Sequence, residues 1–291
     1  MEAFDYLAPR SLAEVYDAIG NGRRSLLLAG GTDVIVQLRE GRRSCDQLID
    51  IKHIEELTRH AFTPDGTLEI GAATPLAELY EDTEVRRRVP ALVDAISIIG
   101  GIAIQSRASI GGNVCNASPA ADSTPALIAL GATLLLGSKS GNRELPVEEF
   151  VIGPGRNALQ PGEILLQVRI PAPAANSGAF YHRFIPRNEM DIAVASAGVS
   201  LALDANSERI ESARVALGAV AATPLLVPAA AEALQGQAPT TEIFAKAGEA
   251  AAAMASPITD MRGSVAQRKH LAKVLTVRAL ERALQRSREA R

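Results

Sequence analysis

The stretch that decides the fold is Gln105-Ser106-Arg107-Ala108-Ser109-Ile110-Gly111-Gly112-Asn113-Val114-Cys115-Asn116-Ala117-Ser118-Pro119-Ala120-Ala121-Asp122. Gly111 and Gly112 read as a loop that opens the backbone. Without a Cβ in the way, successive peptide N–H groups can converge on an anion. Ser109 and Asn113 add side-chain hydrogen-bonding groups, and Ile110 sits between them. Asp122 has two readings. It can accept a hydrogen bond from a sugar-like hydroxyl, or it can cap a helix beginning at Ser123-Thr124-Pro125.

An earlier segment repeats the theme. Ser25-Leu26-Leu27-Leu28-Ala29 reads as a short buried strand. Gly30-Gly31-Thr32-Asp33 follows, and then Val34, Ile35 and Leu38 fall at helical spacing. A helix N-terminus beside such a turn adds the positive end of its dipole. The spacing is neither Gly-x-Gly-x-x-Gly nor that of a P-loop, and alone it also fits a plain tight turn. Two such loops in one domain suit a pyrophosphate, whose charges can be gripped from both sides.

Outward from these loops, Ser11 with Glu14 forms a capping box before a helix whose apolar face is Leu12, Val15, Tyr16 and Ile19, and Gly20 and Gly22 end it. Gln47 to Ile51, Leu68 to Gly71, Thr133 to Leu136 and Ile164 to Ile170 read as strands. Thr74-Pro75 opens a helix with proline at its first position, and helical patterns run on to about Ile99. Pro171-Ala172-Pro173 reads as a linker. Beyond it, Ala179 to Ile185, Ala193 to Leu203 and Ile210 to Leu217 read as strands, then Pro224 to Leu234, Thr241 to Ala255 and Ser264 to Ser287 as helices. Strands followed by helices predict an α+β architecture. The boundary falls near residue 175, giving domains 1–175 (in parts of about 1–55 and 56–175) and 176–291.

Composition removes several function classes. The net charge of −3, with no Lys/Arg stripe, leaves no electrostatic footprint for nucleic acid. Trp is absent and aromatics are 3%, so base-stacking platforms are not expected. Two cysteines, Cys45 and Cys115, are too few for an all-cysteine iron–sulfur cluster, and the four histidines show no metal-ligand spacing. The start, Met1-Glu2-Ala3-Phe4-Asp5, lacks a basic-then-apolar signal pattern, and no apolar run reaches spanning length. A cytoplasmic protein without membrane insertion is expected. What remains for chemistry is backbone, glycine and a bound cofactor.

At this point a resemblance becomes specific. Ala29-Gly30-Gly31-Thr32-Asp33 together with Ser109-Ile110-Gly111-Gly112-Asn113 resembles the FAD-binding middle subunits of the xanthine dehydrogenase and carbon monoxide dehydrogenase family, whose FAD domain shares the vanillyl-alcohol oxidase (PCMH) fold. Asn113 through Asp122, Glu163-Ile164-Leu165-Leu166 through Pro171, Met190-Asp191-Ile192-Ala193 and Asp260-Met261-Arg262-Gly263-Ser264 are similar to further family segments, in the family's order over nearly the whole chain. The resemblance implies a two-part FAD-binding domain followed by a C-terminal α+β domain. It implies that Leu27, Leu28, Ala29, Gly30, Gly31, Thr32, Asp33 and Val34, with Ser109, Ile110, Gly111, Gly112 and Asn113, wrap the FAD pyrophosphate. Asp122 would bind a ribityl or ribose hydroxyl, and Leu165 would lie against the flavin or adenine. Arg183 stands where the family commonly has a lysine near the flavin ring; as a side chain read alone, it is equally a surface arginine. No catalytic acid or base is assigned.

The resemblance also implies partners. A small subunit would carry two [2Fe–2S] clusters and a large one a molybdenum–pterin cofactor, as a dimer of heterotrimers, with this chain relaying electrons through FAD to an external acceptor. The cysteine-rich insertion of related subunits holding a [4Fe–4S] cluster is missing. Two rivals remain. A freestanding flavin oxidoreductase would need an acid or base beside the ring, for which Arg187, Glu189, Asp191 and His182 are available. An assembly subunit without FAD would not need the glycines.

Overall fold

The computed structural model describes residues 2–187 and 190–289. Glu189, one of the charges read above, lies outside them. The fold is built on three main sheets. The first is parallel, with Gln47–Asp50 between Asp5–Leu7 and Ser25–Leu28. Helix Leu12–Ile19 connects its first two strands in sequence. Ser11 caps that helix by accepting from the Glu14 N–H at 3.3 Å, while the Glu14 carboxylate reaches back to the Arg10 N–H at 3.0 Å. The expected capping box is thus present with its return bond shifted by one residue. Val15 is fully buried against Ile49, Ile54, Leu57 and Ile164, which joins this sheet to the next.

The second sheet is antiparallel, in the order His60–Phe62, Leu68–Gly71, Ile164–Ile170, Thr133–Ser138, Gly141–Pro146. Its apolar face packs on helices Leu76–Glu81, Thr83–Arg88 and Pro90–Ile96 through Ile70, Leu79, Val85, Leu92 and Val168. The helical patterns expected up to about Ile99 are these three short helices. Asp82 makes the first break: its side chain caps the second helix by accepting from the Glu84 and Val85 N–H groups. Pro90 starts the third helix. Pro75 is the residue before its helix rather than its first, because it holds an extended ψ of 142°.

The third sheet is antiparallel, in the order Ser177–Phe184, Ala195–Leu203, Ile210–Gly218, Leu225–Leu226. Helices Pro228–Leu234, Thr241–Met254 and Val265–Glu289 cover it, and Ala247, Ala251, Ala272, Ala279 and Ala283 form the packing surface between helices and sheet. The buried alanines of these helices belong to the core. Helix Ser123–Ala129 lies on the sheet as well, and all seven of its residues are buried. No helix is long and apolar enough to cross a membrane among the described residues.

Candidate functional site

The strand Ser25–Leu28 ends at the first glycine turn, and helix Val34–Arg39 starts just beyond it. Gly31 has φ +79°, a left-handed conformation in which a side chain is strained. The N–H groups of Gly30, Gly31, Thr32 and Asp33 have no acceptor among the described residues. Four successive N–H groups left without a protein acceptor at one turn are available to an anion.

The second glycine motif is built differently. It is not a loop: Gly111 and Gly112 lie inside the short helix Ile110–Cys115, with Ser109 as its cap. Their donors are already used. Gly111 N–H bonds to the Ala72 carbonyl, Gly112 N–H to Ser109 Oγ and Asn113 N–H to the Ser109 carbonyl, at 3.0, 3.1 and 3.0 Å. Here the glycines serve close approach. A Cβ on Gly111 would stand 2.5 Å from the Ala72 carbonyl oxygen, and one on Gly30 would stand 2.0 Å from that of Arg107. Gly30 thus brings the first turn onto Arg107 and Ala108, just ahead of the second motif, and Gly111 brings the second motif onto Ala72, with no room for a methyl group at either.

Between them lies a cleft of about 560 Å³. Of the residues singled out in sequence, Leu27, Ala29, Gly30, Gly31, Thr32, Asp33, Val34, Ser109, Gly111, Gly112, Asn113, Asp122, Leu165 and Arg183 line it. Leu28 and Ile110 do not. Leu28 turns to the opposite side of its strand and packs with Leu38, Cys45 and Leu48; Ile110 is fully buried in the core beneath the second sheet. In a strand, neighbours face opposite ways, so a contiguous run cannot all face one ligand. Gln37, Arg43, Asn116 and Asn157 also line the cleft and were not singled out. The Gln37 Nε2 donates to Asn116 Oδ1 at 3.1 Å, a pair 79 positions apart that no local pattern reveals.

Asp122 does not cap its helix; its side chain makes no such bond. Its Oδ1 accepts from the Tyr181 hydroxyl at 2.6 Å and its Oδ2 from Arg183 Nη1 at 2.5 Å. Burial raises the Asp122 carboxyl, to about 6, against the opposing pull of Arg183 and Tyr181, so it is ionised at neutral pH. Burial, and then Asp122, push the Tyr181 hydroxyl far above its ordinary value, so it remains a donor. Arg183 is no surface arginine: its side chain is 7% exposed, and Nη2 also donates to the Ile98 carbonyl at 2.8 Å.

Two further groups bear on the chemistry. Cys115 lines the cleft, and burial pushes its thiol up to about 12, so it holds no reactive thiolate. Asp191 also lines the cleft, but Arg187 bonds to it at 3.2 Å and holds its carboxyl below the usual range. A carboxylate so held is a poor general acid or base near neutrality. His182 and Arg187 do not line the cleft. Among the described residues no group of three or more His, Cys, Asp or Glu is placed to hold a metal ion.

Comparison with known proteins gives this geometry a family. Residues 2–173 match the family described as the FAD binding domain in molybdopterin dehydrogenase, and residues 180–283 match the CO dehydrogenase flavoprotein C-terminal domain. The xanthine dehydrogenase FAD-binding subunit of Escherichia coli O157:H7 is 30% identical over 280 residues, covering 96% of this chain and 95% of that one. The carbon monoxide dehydrogenase medium chain of Hydrogenophaga pseudoflava is 31% identical over 281 residues, 96% of each chain. Among solved structures, carbon monoxide dehydrogenase from Hydrogenophaga pseudoflava superposes with a TM-score of 0.93 at 31% identity over 98% of each chain. Quinoline 2-oxidoreductase from Pseudomonas putida 86 does so with 0.91 at 28% identity, again over 98% of each. The two domain matches, together spanning nearly the whole chain, and these relatives agree: this chain belongs to the family of FAD-binding flavoprotein subunits of molybdopterin-dependent dehydrogenases.

Proposed function

We propose that this chain binds one FAD, without a covalent bond, in the cleft between the two glycine motifs, and serves as the electron-transfer subunit of a cytoplasmic molybdenum hydroxylase. The observation that carries the reading is the row of free N–H donors at Gly30–Asp33, opening on a cleft large enough for an extended ligand. Those donors fit the charge of a pyrophosphate. On the opposite side, Ser109 and Asn113 offer side chains. Leu165 and Ile99 supply apolar surface for a planar ring, and Arg183 supplies a fixed positive charge. The domain division proposed with this reading is 1–175 for FAD and 176–291 for the C-terminal part.

Bound FAD supplies the redox chemistry, because it can take up electrons singly and release them to an acceptor. The chain binds, orients and shields the cofactor. It moves no proton of the organic substrate. A freestanding oxidoreductase needs an acid or base poised in the cleft: Asp122 is committed to Tyr181 and Arg183 and Asp191 to Arg187, while Asp33, whose carboxyl burial raises, stands at the glycine turn, the end assigned to the pyrophosphate. Electrons would therefore come from the [2Fe–2S] clusters of a small partner subunit, reduced in turn by a large subunit carrying molybdenum–pterin. A dimer of such heterotrimers is the assembly proposed.

The experiment is reconstitution. The purified chain should be yellow, and acid precipitation should release all of its FAD into the supernatant. Substrate of the complex should not bleach it until both partner subunits are added. Bleaching by substrate in the isolated chain would replace the relay with a freestanding oxidoreductase, and flavin left in the acid pellet would show a covalent link.

A further inference from the structure

Three side chains form one buried unit in the wall of the cleft. Tyr181 and Arg183 sit two residues apart on the strand Ser177–Phe184 and so face the same side of the sheet. Both reach Asp122, which lies just ahead of helix Ser123–Ala129. The Tyr181 hydroxyl takes one carboxylate oxygen and Arg183 the other. Tyr181 is 2% exposed and Asp122 7%. Asp122 and Arg183 line the cleft; Tyr181 does not. Its ring packs on Ala95 and Ala126, which a phenylalanine would do as well. A hydroxyl kept in such a place, bonded to a carboxylate, has a purpose other than packing.

We propose that Tyr181 is a positioning residue of the cofactor site: by holding one oxygen of Asp122 it turns the other onto Arg183, and so fixes both the place and the charge compensation of the guanidinium that faces the cleft. The proposal rests on the reading of the cleft as an FAD site. A reduced flavin gains negative charge, and a nearby cation stabilises that form in proportion to how little of its charge is already cancelled. The hold of Asp122 on Arg183 thus bears on the flavin potential, and the Tyr181 hydroxyl bears on that hold. Tyr181 and Arg183, from the strand, contact Asp122; the other titratable and charged groups of the cleft wall are Asp33, Arg43, Cys115 and Asp191. Asp94, on helix Pro90–Ile96, accepts from the Tyr181 backbone N–H at 3.4 Å and is itself bound by Arg286.

The test compares the full chain with its Tyr181→Phe variant, both loaded with FAD. Removing a donor that favours ionised Asp122 raises that carboxyl further. The flavin midpoint potential and visible band should therefore change with a pH transition that lies higher in Tyr181→Phe than in the unaltered chain. FAD should bind roughly tenfold more weakly, the size expected for one hydrogen bond to a charged group. In an Asp122→Asn background the same substitution should add little, because the coupling runs through Asp122. A Tyr181→Phe chain with unaltered potential, band and pH profile overturns the proposal even if its melting temperature falls. Full additivity with Asp122→Asn overturns it too. Should Tyr181→Phe not fold, Asp122→Asn must abolish the pH transition of the flavin band, and an unchanged profile there overturns the proposal. An unaltered chain that takes up no FAD would instead sink the functional reading itself.

Discussion

Gly111 shows at the residue scale how a functional motif can be right in place and different in cause. In sequence, its missing side chain reads as room for a phosphate. The structure puts the Ala72 backbone in that room instead, at 2.5 Å from where a Cβ would stand. Gly111→Ala should therefore destabilise the chain by about 1–3 kcal/mol even without FAD, by overpacking a contact that is backbone on one side. Gly112→Ala should cost less, because its nearest obstacle is Ser109 Oγ, a side chain that can rotate away. Urea denaturation of the FAD-free variants measures both; an unchanged midpoint for Gly111→Ala, with only FAD affinity lost, would return the glycine to the ligand. The first turn was readable because strand, glycines and helix follow one another locally. The role of Arg183 as an ion-paired cleft residue was not, because its partners Asp122 and Ile98 are 61 and 85 positions away. Nor could sequence tell that Leu28 and Ile110 face the core, since alternation within a four-residue apolar strand or a short helix has no visible phase.

Elements follow the same division. The long helices Thr241–Met254 and Val265–Glu289 stand within two residues of their expected bounds, since alanine-rich helical spacing over so many residues is hard to mistake. The strand Gly141–Pro146 carries no strand pattern in sequence because Gly, Asn, Arg and Glu fill its first four positions and only Leu145 packs on the core; it is the edge of its sheet. Helix Ser123–Ala129 is buried on every side, so no amphipathic face marks it. Its fit depends on glycine in the neighbouring sheet. A Cβ on Gly198 would lie 2.4 Å from the Pro125 carbonyl oxygen. Gly198→Ala should push this helix off the strand Ala195–Leu203, at a cost of about 1–3 kcal/mol. Because the helix follows directly from Asp122, the variant should also bind FAD more weakly. Thermal melts with and without FAD would record the two losses, and a variant that melts at the original temperature would show that the sheet yields freely.

At the scale of the whole molecule, ion pairs cross from one sheet system to the other beside the apolar seat of helix Ser123–Ala129. Arg286, on helix Val265–Glu289, bonds Asp94 with both nitrogens at 2.5 and 2.9 Å, donates to the Ala179 carbonyl at 2.8 Å, and lies over the Phe180 ring at 4.8 Å. Arg214 similarly joins Glu148 and the Ile128 carbonyl at 2.7 and 2.9 Å. Both Arg286 and Asp94 side chains are 19% exposed, so removing one strands a largely desolvated charge. Arg286→Ala should cost about 2–4 kcal/mol, less than loss of a fully buried pair because water still reaches this one. Calorimetry of the purified variant checks the figure. A shift no larger than that of Lys273→Ala, whose pair with Glu249 is well exposed, would show that the crossing pairs do not hold the two parts together.

The strand Ser177–Phe184, which brings Arg183 to the cleft, is itself seated by helix Val265–Glu289: Gly178 leaves just enough space for the Ala283 carbonyl, 2.0 Å from where a Cβ would stand. The ribosome delivers these pieces in a fixed sequence. When the glycine turn at Gly30 emerges from the exit tunnel, roughly 150 residues must still be translated before Arg183 appears, a wait of about 10–30 s at ordinary elongation rates. Some hundred more must follow before the helix that seats its strand is free to dock. Completion of the cleft wall is thereby deferred until the helix that seats this strand has left the tunnel, and a nascent chain stalled at Pro171-Ala172-Pro173 lacks the part of the wall that Arg183 supplies.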